Sequence, residues 1–450
     1  FLFCGHPGAF GDDTVSAATS GRAVRIDEPV FSGQIYFYDS GGTFEHTVLL
    51  LHGVGDEASD IWRGLAGQLE NHYRVIYFDL PGFGRSDKGK KDYTLEKYAA
   101  LVKWIYDQHV RGPMTVIGHS LGGAIALYYA GTNPESLERV VAVDAAGILH
   151  RTALMRSLAA AGLARRSENS LFQKQIEKLS DRVSAKVMVS SISRNAAGEK
   201  ASRADQQMFR GKMPDTPQTA ASLSLVSTDF SRILAQLQRP VRLIWGEKDK
   251  TAPLRTGKAL AAMIPGAHLS IIPGAGHSPM MDRPNDFYKA VFSSLSESQD
   301  LAQSPLERWP GRKSISLSSK RNVLLRGEFN RIEIRNCRNI RLHDISARLI
   351  HIENSTVDME NFMLKTEHKA LTLIQSTAVM TAGKIHATVA ISMSGSFLDL
   401  AGVEIQAEKN AMESKDTSPS VAVFSLCRIQ SQKQKGWLHD MAEITKDNPL

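Results

Sequence analysis

Three residues able to perform nucleophilic displacement stand where apolar runs end: Ser120, Asp249 and His277. Ser120 is the centre of Gly118-His119-Ser120-Leu121-Gly122-Gly123, which follows the apolar Val116-Ile117 and precedes an Ala-rich, helix-like stretch. A strand that turns sharply into a helix holds its apex residue in a strained conformation with the side chain presented, so the flanking positions must be nearly free of side chain. Gly118 and Gly122 meet that need, and the helix that follows aims free N–H groups and the positive end of its dipole at the apex. A serine hydroxyl is a weak nucleophile at neutral pH and needs a histidine base with an acid to orient it. Asp249 ends Val241-Arg242-Leu243-Ile244-Trp245-Gly246-Glu247-Lys248-Asp249, an apolar strand running into a polar turn. His277 ends Leu269-Ser270-Ile271-Ile272-Pro273-Gly274-Ala275-Gly276-His277, a strand with a glycine loop. A further buried-strand run, Val48 to Leu51, leads into His52-Gly53-Val54-Gly55, so the backbone N–H groups of Val54 and Leu121 are the candidate donors to an oxyanion.

Each role has a rival. Asp144 ends the strand Val140 to Asp144 and competes with Asp249 as the acid, since either lies between Ser120 and His277 in the chain; the preference for Asp249 comes from the family resemblance given below. His52 and His119 compete as the base, but each lies beside a tight turn that needs it for hydrogen bonding, so both are expected to be structural.

These pieces, with Asp79-Leu80-Pro81-Gly82-Phe83-Gly84-Arg85-Ser86, resemble the α/β-hydrolase superfamily over residues from about 30 to 298, closest in flavour to its esterases and lipases. The resemblance implies Ser120 as nucleophile, His277 as base, Asp249 as acid, and Val54 and Leu121 as oxyanion donors, with no metal or cofactor needed. Relatives that cleave carbon–halogen bonds or epoxides carry Asp at the nucleophile position, and Ser120 argues against both. Ester hydrolysis through an acyl-enzyme is the leading expectation. A carbon–carbon hydrolase, a perhydrolase or an acyltransferase would use the same residues.

Around these residues the alternation of apolar strands and helices predicts an α/β, doubly wound sheet over residues 24–298, after a Gly, Ser and Ala rich lead-in over 1–23. From about residue 149 to 237 the strand alternation stops. Phe172, Ile176, Leu179, Val183 and Val187 keep helical spacing, so this insertion is expected to cap the carboxyl ends of the strands. Met155, Phe172, Met188 and Phe209, with Met208 and Met213, are the candidate lining of an apolar substrate pocket.

Residues 299–312 form a polar, proline-containing linker, and beyond it the chain repeats. Ile332-Glu-Ile334-Arg-Asn336-Cys337, Ile350-His-Ile352-Glu-Asn354-Ser355 and Leu371-Thr-Leu373-Ile-Gln375-Ser376 share one template, followed in turn by Ile340-Arg-Leu342, Val357-Asp-Met359 and Val379-Met-Thr381. Period-two strands recurring about every 20 residues indicate a solenoid of stacked β-coils. Residues 313–430 therefore resemble a right-handed parallel β-helix, with a β-sandwich as the alternative because alternation alone does not choose between them, and with 431–450 as a tail. Because every site residue precedes the linker, the coils are read as a separable module that extends reach.

The 450-residue chain is 42% hydrophobic and can bury a sizeable core. Three cysteines, Cys4, Cys337 and Cys427, are too few for a disulfide framework. The formal charge of +7 is concentrated between Glu307 and Arg348, which hold eleven Lys or Arg against four acids. Arg331, Arg335 and Arg341 fall on outward positions and are candidates for contact with an anionic surface or polymer; nucleic acid is not expected as a partner. A β-helix that bound a surface or polymer beside an idle hydrolase would be a scaffolding protein, though the intact Ser, Asp and His argue against idleness, whereas a polysaccharide lyase wants a cluster of carboxylates with a basic residue on one coil face, and the acids here are few beside the arginines. No apolar run is long enough to span a membrane. Phe1-Leu2-Phe3-Cys4-Gly5 has some character of a processed leader, which favours a secreted, periplasmic or envelope location over the cytoplasm.

Overall fold

The computed structural model describes residues 21–296, except 56, 90, 151, 152 and 154–215, and residues 311–450, except 415–417. Its first part is an eight-stranded sheet made of β1 (Arg22–Glu28), β2 (Gly33–Asp39), β3 (Thr47–Leu51), β4 (Arg74–Phe78), β5 (Met114–His119), β6 (Arg139–Val143), β7 (Val241–Gly246) and β8 (His268–Ile272), in the order β1-β2-β4-β3-β5-β6-β7-β8. Strands β3 to β8 run parallel, and β1 and β2 add an antiparallel edge.

Parallel strands must be covered on both faces, and the apolar residues of β3 divide accordingly. Leu49 and Leu51 enter one core with α2 (Leu95–His109) and α3 (Leu121–Thr132), while Val48 and Leu50 enter another with α1 (Arg63–Leu69) and the long helix Pro284–Ser296. Thr94 fixes the start of α2 by accepting from Lys97 N. Of the cap range, the described part holds α4 (Pro217–Ser227) and α5 (Phe230–Leu234), which place Ala221, Leu225 and Phe230 in the core shared with α3. The proposed pocket residues Met155, Phe172, Met188 and Phe209 lie outside the described residues. The sheet resumes at β7, followed by α6 (Leu254–Met263), and after β8 come α7 (Pro279–Asp282) and α8 (Pro284–Ser296).

The second part is a solenoid of mostly parallel strands: β9 (Ser314–Ser318), β10 (Leu324–Arg335), β11 (Ile340–Glu353), β12 (Thr356–Lys365), β13 (Lys369–Ile374), β14 (Thr377–Ser394), β15 (Phe397–Ser414), β16 (Ser420–Ser425) and β17 (Cys427–Gln430). Each successive coil lays its residues on copies in the one before. Ile315, Ile332, Ile350, Leu371, Ile391 and Met412 follow one another in register on one face. Ile340, Val357, Ala378, Leu398 and Ala422 do so on a second. On a third, Ile345, Phe362, Gly383 and Val403 are aligned, and the missing side chain at Gly383 leaves room for the Phe362 ring.

The corners explain the Asn, Ser and Cys of the repeat. Asn336, Asn354 and Gln375 take left-handed conformations, with φ of 53°, 44° and 45°, and Asn354 Nδ2 donates to Asn336 Oδ1 one coil away at 2.7 Å. The next residue of each corner would leave a buried N–H without a strand partner. The hydroxyl above takes it: Cys337 N donates to Ser355 Oγ, Ser355 N to Ser376 Oγ, Ser376 N to Ser396 Oγ and Ser396 N to Ser420 Oγ, at 2.8 to 3.1 Å.

The structure corrects the repeat at one place. Asp358 pairs with Val379 and Met359 with Met380, so Ala378 and Met380 point inward rather than Val379 and Thr381. A period-two strand slipped by one residue exchanges its faces, and the apolar Val379 on the outer face disguised the register. The segment 431–450 also differs from a free tail. It forms β18 (Lys435–Leu438) and β19 (Met441–Ile444), antiparallel to β17 and β16. Of the outward arginines, Arg331 pairs with Glu333 at 2.6 Å, Arg335 with Glu353 at 3.3 Å, and Arg341 stands in register with Asp358.

The two parts share a packed boundary, which a separable module would lack. Helix α6 lies on β14 and β15, with Lys258 paired to Glu360 at 2.5 Å. Arg255 reaches Asp399 through Nη1 and Nη2 at 2.7 and 2.8 Å and also donates to Thr381 Oγ1 at 3.1 Å. Gly402, at φ 62°, lets the coil backbone approach Ala259 closely. Leu149, Ala153, Ala259, Ala401 and Val423 form a small buried cluster, and His150 N donates to Ser425 Oγ at 2.9 Å.

Candidate active site

The carboxyl ends of β5, β7 and β8 bring Ser120, Asp249 and His277 together. Ser120 sits between β5 and α3 at φ 54° and ψ −113°, a conformation that costs a residue with a side chain roughly 1–3 kcal/mol. The turn is held by Ser120 N donating to Val143 O at 2.9 Å and by Ala146 N donating to Ser120 O at 3.2 Å. Its tightness forbids side chains beside it: a Cβ on Gly118 would strike the Gly122 carbonyl, and one on Gly122 would strike the Leu51 carbonyl. Gly122→Ala is therefore expected to lower stability by about 3 kcal/mol, the upper end for overpacking, because rigid backbone and not a movable side chain is in the way. A urea melt compared with Gly67→Ala, where the added methyl group meets open space, checks this.

Ser120 Oγ stands 2.9 Å from His277 Nε2, and His277 Nδ1 stands 2.8 Å from Asp249 Oδ2. The other oxygen, Asp249 Oδ1, accepts from Thr251 N at 2.7 Å and Ala252 N at 3.0 Å, which fixes the carboxylate plane. The loop before His277 is held by Asp282, whose Oδ2 accepts from Gly276 N at 2.7 Å. Sequence reading missed Asp282; its signal is an acid at the end of the short helix that follows His277.

Leu121 is the first residue of α3, so its N–H has no acceptor within the helix. The loop after β3 closes on the same point: a Cβ on Gly53 would stand 2.8 Å from Ser120 Cβ, which places the peptide leading to Val54 beside the serine. His52 pins that loop. Its Nε2 accepts from Leu80 N at 2.8 Å and its Nδ1–H donates to Gly53 O at 2.7 Å, and burial pushes its pKa down, so it is a neutral structural bridge. Asp79 anchors the partner loop by accepting from Arg85 and Ser59, whose hydrogen bonds outweigh burial and hold its carboxyl below the ordinary range.

His119 is likewise not placed as a base. It is buried against His277, and desolvation lowers its pKa to about 3. Its Nε2–H donates to the His277 backbone carbonyl at 2.6 Å, so it supports His277 from behind. Among the described residues, Asp144, Asp249 and His277 are the side chains that gather within reach of one ion, all within 4.8 Å. Two of these are already bonded to each other, since His277 Nδ1 meets Asp249 as an N–H donor and not as a lone pair, so the arrangement fits a proton relay better than a cation.

The family described as the alpha/beta hydrolase fold matches residues 46–284, just over half of the chain. This chain belongs to that family. An uncharacterized protein of Mycobacterium bovis is 28% identical over 274 residues, covering 58% of this chain and 78% of its own. The pimeloyl-(acyl-carrier protein) methyl ester esterase of Yersinia pseudotuberculosis is 25% identical over 274 residues, covering 59% of this chain and 99% of its own. Among solved structures, an esterase from Exiguobacterium antarcticum aligns with a TM-score of 0.45 at 18% identity, over 61% of this chain and 100% of that one. These similarities cover the α/β part of the chain.

Proposed function

We propose that this α/β-hydrolase is a serine carboxylic ester hydrolase working through an acyl-enzyme on Ser120. The observation that carries the reading is the continuous line from Ser120 Oγ to His277 to Asp249, at 2.9 and 2.8 Å, with the serine in a strained apex conformation. Asp249 takes the Nδ1–H of His277, which leaves the Nε2 lone pair facing the hydroxyl. His277 removes the proton as Oγ attacks the ester carbonyl, and the N–H groups of Leu121 and Val54 receive the oxyanion. The tetrahedral intermediate collapses, His277 protonates the departing alcohol, and a water activated by the same imidazole releases the acid. The named function of the Yersinia relative, a methyl ester esterase, supports an ester as substrate.

The test is hydrolysis of nitrophenyl esters from acetyl to long-chain acyl. Turnover with a clear optimum of chain length is expected, and a folded protein that cleaves none of them would contradict the reading. Transfer to an added alcohol or to peroxide in preference to water would move it to an acyltransferase or perhydrolase on the same residues.

A further inference from the structure

Asp144 is a buried carboxyl group beside the site that this mechanism does not use. It is wholly buried at the end of β6, next to the elbow, in a left-handed conformation with φ 43°. Its Oδ1 accepts from Gly246 N at 2.9 Å, the residue that opens the turn to Asp249. Its Oδ2 is buried and has no donor to accept from. An ionised carboxylate left so is costly, and here a second carboxylate, Asp249, lies within 4.8 Å. Both problems vanish if Oδ2 carries a proton: the orphan acceptor becomes a donor, and Asp249 Oδ2, which takes one hydrogen bond from His277, has a lone pair to receive it.

We propose that Asp144 is a positioning residue for the triad, held as a neutral carboxylic acid whose Oδ2–H donates to the Asp249 carboxylate and fixes the oxygen that faces His277. The inference rests on the reading of Ser120, His277 and Asp249 as a triad. Buried carboxylate pairs share one proton because two adjacent anions cannot both be sustained. The groups facing Asp144 agree with this. Asp249 and Asp282 are acids, His277 is engaged with Asp249, and His119 is neutral. Burial first, then the neighbouring acids, raise Asp144 well above the ordinary carboxyl range. Folding therefore takes up a proton at neutral pH. The stability this group confers is complete below the unfolded carboxyl pKa, falls as the pH rises above it, and is lost once the folded group ionises.

The arrangement also explains why the sequence offered two acids. Asp249 bonds the base, and Asp144 bonds Asp249, so each strand end supplies one link of a single chain from β6 through β7 to β8. Above the pH at which Asp144 ionises, repulsion would push Asp249 away from His277 and the rate would decline.

Two variants separate the donor from the charge. Asp144→Asn keeps an N–H donor toward Asp249 and cannot ionise; Asp144→Leu removes the donor. In ester hydrolysis the Asn variant is expected to stay within about threefold of the parent at neutral pH, to lose the alkaline decline in kcat, and to melt at a higher temperature than the parent at alkaline pH. The Leu variant should lose about 10- to 100-fold in kcat with little change in KM, the effect of deleting one hydrogen bond to a charged group. A readout free of activity is the infrared carbonyl band of a buried carboxylic acid, present at neutral pH in the parent and in Ser120→Ala, and absent in Asp144→Asn. A band that persists in Asp144→Asn, Asn and Leu variants of equal activity, or a dependence of activity on an added divalent cation, would overturn the proposal. Retained hydrolysis in Ser120→Ala would instead overturn the triad itself.

Discussion

Changing Ser120 to alanine is expected to reduce ester hydrolysis by on the order of 10⁴- to 10⁶-fold while leaving the thermal midpoint within a few degrees of the parent. Only Oγ is removed. The backbone at φ 54° is held by Val143 O and Ala146 N and keeps the same Cβ, so the elbow and the approach of Gly53 survive. Residual turnover would come from the oxyanion donors and from binding, which act without the nucleophile. His277→Ala should be comparably severe. Asp249→Asn should fall below Asp144→Asn, because Asp249 is the carboxylate bonded to His277 Nδ1, and the reverse ranking would make Asp144 the acid. Activity within tenfold of the parent in Ser120→Ala would remove the basis for an acyl-enzyme.

The second large effect is expected at the boundary with the coils. Asp399→Ala should destabilise the protein by about 3–5 kcal/mol, the usual consequence of leaving one member of a buried ion pair without its partner. Asp399 is 2% exposed, and Arg255 meets it with two hydrogen bonds. Arg255 sits one residue into α6 and six residues after Asp249, so the coils hold the helix that follows the Asp249 loop. On the other side, His150 N bonds Ser425 Oγ six residues after Asp144. The double change Arg255→Met with Asp399→Leu should recover most of the loss, since a well-packed apolar pair replaces a buried ion pair without penalty. Chain ending at Ser298 would expose Arg255, Ala259 and Leu149 together and is expected to be insoluble or inactive. A soluble, active truncation, or an Asp399→Ala protein as stable as the parent, would return the coils to the role of a detachable module.

What the sequence made legible follows from where local rules suffice. The elbow could be read because its backbone geometry demands glycine at Gly118 and Gly122, and no tertiary information is needed to see that. Asp249 and His277 could be read because each follows a buried strand and ends a turn. The coils were legible in outline because stacked Ile, Leu and Val repeat, and because the corners demand residues that tolerate left-handed φ and supply a hydroxyl. The details that failed are those set by distant partners. Val379 is apolar on an outer face, so the register of its coil could not be taken from alternation alone. Arg255 and Asp399 are 144 residues apart, and neither carries a local sign of the other. The short strands Lys435–Leu438 and Met441–Ile444 are too polar and too brief to announce themselves, and exist because β17 and β16 leave edges to pair with.

The most direct measurement is the mass of the intact protein after reaction with a fluorophosphonate, followed by peptide mapping. A phosphonylating reagent reacts with a serine only where a base and an oxyanion site activate it. The account predicts a single adduct on Ser120, formed in step with the loss of ester hydrolysis, absent from Ser120→Ala and strongly slowed in His277→Ala. An active protein that takes no adduct, or one whose adduct maps to another residue while hydrolysis is lost, would contradict the assignment of Ser120 as the nucleophile.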